Sequence, residues 1–339
     1  MTRTWLTTAR AAALAVLLAV AAVGAAAPAQ AAPAKPSRLG PAPVLNVHVT
    51  PDGFVVPGPN PRPGGPVTFR VTAEGAHGYW WNVYKLLDGA TIDQFVTWNA
   101  ERGSDDPEVA RAAMKNLYRY VEWSGGAKVY PGKPLELTQT LTPGTYYFGS
   151  LAIPGPQGAA PEPAAADGGV SARVAAPAPD ALPAAKAAVR AQEPSVFGWL
   201  DITDEYRPAR LPRVDGLVYM TEMGGRDVMI APRRLPARGR VWVINHTRQP
   251  QETVFMDLRD GATHRDVRAY FDAQLDGRPL PPRPFGDSIG GMLALSPDKQ
   301  IIMGYEMPAD TYGLFSWLRD SDTLLDAAAT GMTSVIDLR

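Results

Sequence analysis

The chain has 339 residues, with 33 Lys and Arg against 34 Asp and Glu, and not one Cys. At 45% hydrophobic it carries apolar material for about two packed domains, which excludes wholesale disorder. The missing cysteine excludes disulfide frameworks, thiolate zinc or iron–sulfur sites, cysteine nucleophiles, blue-copper centres and a lipidated Cys anchor, and a formal charge of −1 leaves no footprint for nucleic acid.

Arg3 and Arg10 precede an apolar run from Ala11 to Ala27, and Ala29-Gln30-Ala31 offers a small-x-small cleavage site. This is the pattern of a secretory signal peptide over residues 1–31. The run is short and Ala-rich for a membrane anchor, and the two Arg are not adjacent as a twin-arginine route requires. Cleavage leaves a net charge of −3 and no later apolar stretch long enough to span a membrane. The expected address is secreted or extracytoplasmic, with no membrane span in the mature chain.

Beyond the leader the chain repeats itself. Leu87-Asp88-Gly89-Ala90-Thr91 matches Arg259-Asp260-Gly261-Ala262-Thr263 at an offset of 172. Around it, Gly65 to Val71 resembles Gly239 to Ile244, Leu141 to Phe148 resembles Met307 to Leu314, and Gly169 to Val174 resembles Gly331 to Ile336. Four matches in one order read as a tandem duplication. The expected layout is an N-terminal linker at 32–43, a first domain at 44–176, an Ala/Pro-rich linker at 177–213 and a second domain at 214–339. The Pro/Ala/Gly-rich stretch from about 154 lacks the apolar payload for a core, apart from a weak strand near Val170–Val174 that would close the first unit.

In each unit, alternating runs such as Val67–Val71 and Val241–Ile244 predict strands with one buried face. After each Asp-Gly the period turns helical. Thr91 with Gln94, and Thr263 with Asp266, predict capping boxes. A second helix is predicted over Pro107 to Trp123, with Pro in the first turn and Val109, Ala113, Leu117 and Tyr120 on one stripe. Unit two has the Pro-rich Gly277–Gly291 in its place, read as a loop. Many short strands with few helices favour paired β-sandwiches.

The order of these signals resembles the cupredoxin-like domains of exported actinobacterial proteins. The matching residues in unit two are Pro232, Leu235 to Gly239, Asn245, Leu258 to Thr263, Ser296-Pro297, Met307 to Tyr312 and Gly331-Met332. The resemblance spans Val214 to Arg339 and, more loosely, Val44 to Val174. It implies an all-β fold of two tandem Greek-key sandwiches, each with a short helical insertion. Redox members of that family bind copper through two His, a Cys and usually an axial Met. Here Gln251 in unit two and Tyr79 in unit one stand where the first His is expected. Phe315-Ser316-Trp317 stands in place of the Cys and second His, and only Met332 occupies a ligand-like position, where it also reads as core. The resemblance therefore implies no metal and no cofactor.

Other segments bear on chemistry. Gly286-Asp287-Ser288-Ile289-Gly290-Gly291 imitates the Gly-Asp-Ser-Gly-Gly of trypsin-like proteases, but Ile289 interrupts the turn that shapes the oxyanion hole. His48, His77, His246 and His264 share no metal-ligand spacing, and Met220, Met223 and Met229 read as packing. Asn245-His246-Thr247 fits a glycosylation sequon. The aromatic run Tyr79-Trp80-Trp81 with Tyr84 is the most conspicuous. With Trp80 turned inward, Tyr79 and Trp81 face the other way, and together with Tyr84 they are the candidate ligand or partner surface. The resulting expectation is a non-enzymatic, metal-free, exported bacterial binding module with an unknown protein or cell-wall polysaccharide as partner. Two alternatives stand beside it: a copper-handling or redox protein with unconventional His/Met ligands, and a secreted serine hydrolase using Ser288.

Overall fold

The computed structural model describes residues 39–75, 77–153 and 196–339. The leader, residues 32–38 of the N-terminal linker, the stretch from 154 and the strand expected near Val170–Val174 lie outside the described residues.

The first half of the chain contributes β1 (Val44–Thr50), β2 (Gly53–Val55), β3 (Arg62–Ala73), β4 (Tyr79–Leu86), α1 (Ile92–Glu101), α2 (Pro107–Tyr120), β5 (Val121–Val129), β6 (Leu135–Leu141), β7 (Gly144–Ala152) and β8 (Val196–Tyr206). The second contributes β9 (Gly216–Met223), β10 (Arg226–Ile230), β11 (Arg234–Leu235), β12 (Arg238–His246), β13 (Gln251–Leu258), α3 (His264–Leu275), β14 (Phe285–Leu295), β15 (Lys299–Glu306), β16 (Thr311–Phe315), α4 (Ala327–Thr330) and β17 (Thr333–Leu338).

The two halves pair alike. β1 lies parallel to β3 and β9 parallel to β12, while β6 and β15 flank them antiparallel. In the opposite sheets β4 sits between β5 and β7, and β13 between β14 and β16. β8 closes the first set beside β7, and β17 closes the second beside β16. The fold is all-β and cupredoxin-like, two Greek-key sandwiches with helices inserted after the fourth strand of the first and its counterpart in the second. The closing strand of the first sandwich, however, is Val196–Tyr206, within the stretch expected to be linker at 177–213. Its pairing of Gly144 with Ile202 is non-local, so neighbouring residues do not announce its partner strand.

The sandwiches meet through equivalent edges. β5 pairs with its counterpart β14, and β6 with its counterpart β15, so both sheets run through the seam about a local two-fold. Ser296 and Trp123 exchange two hydrogen bonds there, Trp123 N to Ser296 Oγ at 2.8 Å and Ser296 N to Trp123 O at 2.9 Å. Glu136 accepts from Arg70 of the first sandwich and Arg240 of the second. Helix α2 reaches across as well: Tyr118 Oη donates to Arg319 O at 2.6 Å, and Lys115 pairs with Asp322 at 2.9 Å. One apolar core, from Leu45 and Phe69 to Val243 and Ile301, runs through both.

The helices start as predicted. Thr91 Oγ1 accepts from Gln94 N and Gln94 Oε1 from Thr91 N, and Thr263 and Asp266 repeat the exchange. The preceding Asp-Gly makes a tight turn, with Ala90 N donating to Leu87 O and Ala262 N to Arg259 O. Gly89 and Gly261 sit at φ of 74° and 76°, where a side chain is strained. Helix α3 then lays Val267 and Phe271 onto Phe285 and Phe315. Thr263→Ala removes the acceptor for a first-turn amide, and chemical denaturation is expected to show a loss of about 1 kcal/mol.

Candidate functional site

Gln251, Ser316 and Met332 lie close together at one end of the second sandwich. Gln251 opens β13, Ser316 directly follows β16, and Met332 directly precedes β17. All three are buried. Ser316 Oγ donates to Gln251 Oε1 at 2.8 Å and accepts from Glu252 N at 3.1 Å, while Ser316 N donates to Met332 O at 3.1 Å. The Gln251 amide donates onward to Asp227 Oδ2 at 3.2 Å, from β10. Each polar group finds its partner within the cluster, as buried polar groups must.

Two carboxylates border this cluster. Glu252 is buried, and its Oε1 accepts from Trp317 N at 2.8 Å. Burial pushes its carboxyl up to about 7, against the pull of the Trp317 amide and of Arg102 and Lys128 from the first sandwich. Asp227 is raised too, first by burial and then by Glu222 and Asp320. A small cleft beside them is lined by Asp227, Gln249, Gln251, Arg319, Asp320 and Thr330. Gln249 holds its wall, donating to Asp320 Oδ2 at 2.6 Å and accepting from Ser321 N at 3.0 Å.

A copper centre of the kind the resemblance implies needs a soft thiolate and two imidazoles. The residues at these positions offer an amide, a hydroxyl, an indole and a thioether, and the amide and hydroxyl are already bonded to each other. They do not fit copper. Among the described residues no group of three or more His, Asp or Glu could hold a metal ion. His48 bonds Thr72 and Glu74, His246 bonds Tyr219, and His264 opens α3. Met220 and Met229 are in the core and Met223 is exposed. Asn245, the sequon residue, is buried, with its amide donating to Gln249 O and Leu295 O.

The aromatic surface expected from Tyr79, Trp81 and Tyr84 is overturned, for the three are 7%, 0% and 0% exposed. β4 has the opposite phase: Tyr79, Trp81 and Val83 face the core, and Trp80 faces out beneath the Lys128 ammonium, 4.2 Å from its ring centroid. Alternation places Tyr84 on the other face, with Trp80, and there Phe95 of α1 stacks on it at 4.5 Å.

Ser288 is no loop residue. It lies within β14, its Oγ is buried without a partner among the described residues, and its carbonyl accepts from Lys128 Nζ at 2.9 Å. Neither His246 nor His264 is bonded to it. One glycine of this motif, Gly291, has a packing cause. A Cβ on Gly291 would lie 2.3 Å from Thr253 O, and one on Gly126, its counterpart in β5, would lie 2.1 Å from Trp81 O. Both sandwiches need a bare backbone where these strands approach.

Sequence reasoning missed Asp227 and Glu252, which the fold brings to the cluster from β10 and β13. It also missed Trp199 on β8, which is 62% exposed. The signal was present in Gly198-Trp199-Leu200-Asp201-Ile202, where apolar Leu200 and Ile202 alternate with outward residues.

No protein-family model matches the chain, and no curated protein matches it. Among solved structures it is similar to a multicopper oxidase, at 12% identity over 87% of this chain and 88% of that one, with a TM-score of 0.22. It is also similar to a copper-containing nitrite reductase from Thermus scotoductus SA-01, at 11% identity over 87% of this chain and 61% of the other, TM-score 0.23. A blue copper oxidase from Nitrosomonas europaea aligns at 13% identity over 88% and 77%, TM-score 0.20. Scores this low say nothing about chemistry, and the strand pairing itself establishes the fold.

Proposed function

We propose that the protein is an exported, metal-free binding or interaction module of the cell envelope or extracellular space, and not an enzyme. The observation that carries this reading is the bond between Gln251 and Ser316. Where a redox cupredoxin would place ligands, two buried side chains satisfy each other and anchor Asp227, which makes this end of the sandwich a structural cluster. The leader pattern in the sequence supports export, and the seam, built from both halves, supports a rigid scaffold that presents surfaces.

Copper titration of the purified mature protein, followed by metal analysis after desalting, tests the metal-free part. The expected result is no stoichiometric retention of Cu(I) or Cu(II). Tight binding near one ion per chain would sink this reading and favour the copper-handling one.

A further inference from the structure

We propose that the outer face of β7 and β8 is a polysaccharide-binding platform, with Trp199 and Tyr147 stacking on pyranose rings. This rests on the binding-module reading above and gives it a ligand class. Tyr147 and Trp199 are direct cross-strand partners. Tyr147 is half-buried and stacks on Tyr84, its cross-strand neighbour on β4, with centroids 6.0 Å apart and planes at 26°, so packing holds its ring in place. Trp199 is exposed beside it. The next pair on the same face is Thr145 and Asp201, joined by a 2.7 Å hydrogen bond from Thr145 Oγ1 to Asp201 Oδ1. Asn60 reaches over this pair, its Oδ1 accepting from Asp201 N at 2.7 Å.

Two aromatic rings thus lie beside a carboxylate, an amide and a hydroxyl. A pyranose has the complementary pair of surfaces, an apolar C–H face for a ring and a rim of hydroxyls for acceptors and donors. Thr145, Asp201 and Asn60, bonded to one another beside the rings, supply the polar rim that sugar hydroxyls meet.

The duplication supplies an internal control. In the second sandwich the equivalent cross-strand pair is Gly313 and Val335, and Val335 packs against the cluster under α3. The fold is therefore satisfied with a small residue and a β-branched one at these places. It does not require an exposed indole. What the first sandwich has instead is a Tyr and a Trp side by side on a polar face, the residue types enriched at recognition surfaces.

The test is a pull-down of the purified protein with three insoluble probes, cellulose, chitin and peptidoglycan. Retention on at least one is expected. Trp199→Val, which installs the second sandwich's own residue and keeps strand propensity, should weaken it roughly tenfold or more. Trp199→Phe, which keeps a ring, should recover part of the loss. Retention on none of the three probes, or equal retention of wild type and Trp199→Val, overturns the platform. Either result leaves the copper titration, and the reading it tests, untouched.

Discussion

Glu252→Gln is expected to leave stability unchanged at pH 4.5 and to raise it at pH 8 by up to ~3 kcal/mol. Burial lifts the folded-state carboxyl to about 7 from an ordinary value of 4.5. The folded chain therefore keeps a proton that the unfolded chain has released. Rising pH lowers stability between about 4.5 and 7, the full penalty is present above 7, and none remains below 4.5. Arg102 and Lys128 face this carboxylate from the first sandwich, and Trp317 N and Asp326 face it from the second. Glutamine keeps the acceptor for Trp317 N and removes only the charge. Denaturant unfolding of both proteins at pH 4.5, 6 and 8 reads the difference. Parallel pH profiles for wild type and variant would show that Glu252 is not a buried titrating group.

This charge sits where two stretches distant in sequence meet, and that explains what could and could not be read beforehand. Local chemistry was legible. The capping boxes at Thr91 and Thr263 need only residues three apart, and α2 declares itself through Asp106 and Pro107 at its start. The duplication was legible too, since matched turns keep their order while the sequences between them diverge. The phase of β4 was not. Its core face carries Tyr79, Trp81 and Val83, and its other face carries Trp80 and Tyr84, so both faces are aromatic and alternation alone does not say which points inward. β8 is legible as a strand from the alternation of Leu200 and Ile202, but not its place in the fold, because its partner β7 lies across a long intervening stretch. The Gly-rich β14 imitated a catalytic turn because close backbone approach and an oxyanion hole both call for glycine.

The polar cluster shows the same division. The ligand positions could be counted along the chain, and they do converge on one end of the second sandwich. Their bonding could not be counted. Gln251 is held by Asp227 from β10, and Glu252 is held by an amide beyond β16. Each partner arrives only when the sheets close.

Trp81→Ala should cost about 3–5 kcal/mol. Trp81 is fully buried between Phe69 and Phe148, edge-on to the first at 5.7 Å and stacked on the second at 5.9 Å. Truncation removes both ring contacts and leaves a cavity in the middle of the first sandwich, whose core is continuous with the second. Trp81→Phe should behave differently. The indole Nε1 is buried without a hydrogen-bond partner, and an unmet donor of this kind costs roughly 1–3 kcal/mol. Removing it offsets the smaller loss of ring volume, so Trp81→Phe is expected within about 1 kcal/mol of wild type. Urea unfolding, followed by both fluorescence and far-UV circular dichroism, separates the two variants. A Trp81→Ala protein as stable as wild type would mean the ring does not sit in the core. Trp81→Phe should also keep whatever polysaccharide retention the wild type shows, because Trp81 belongs to the support beneath the sheet and Trp199 to its surface.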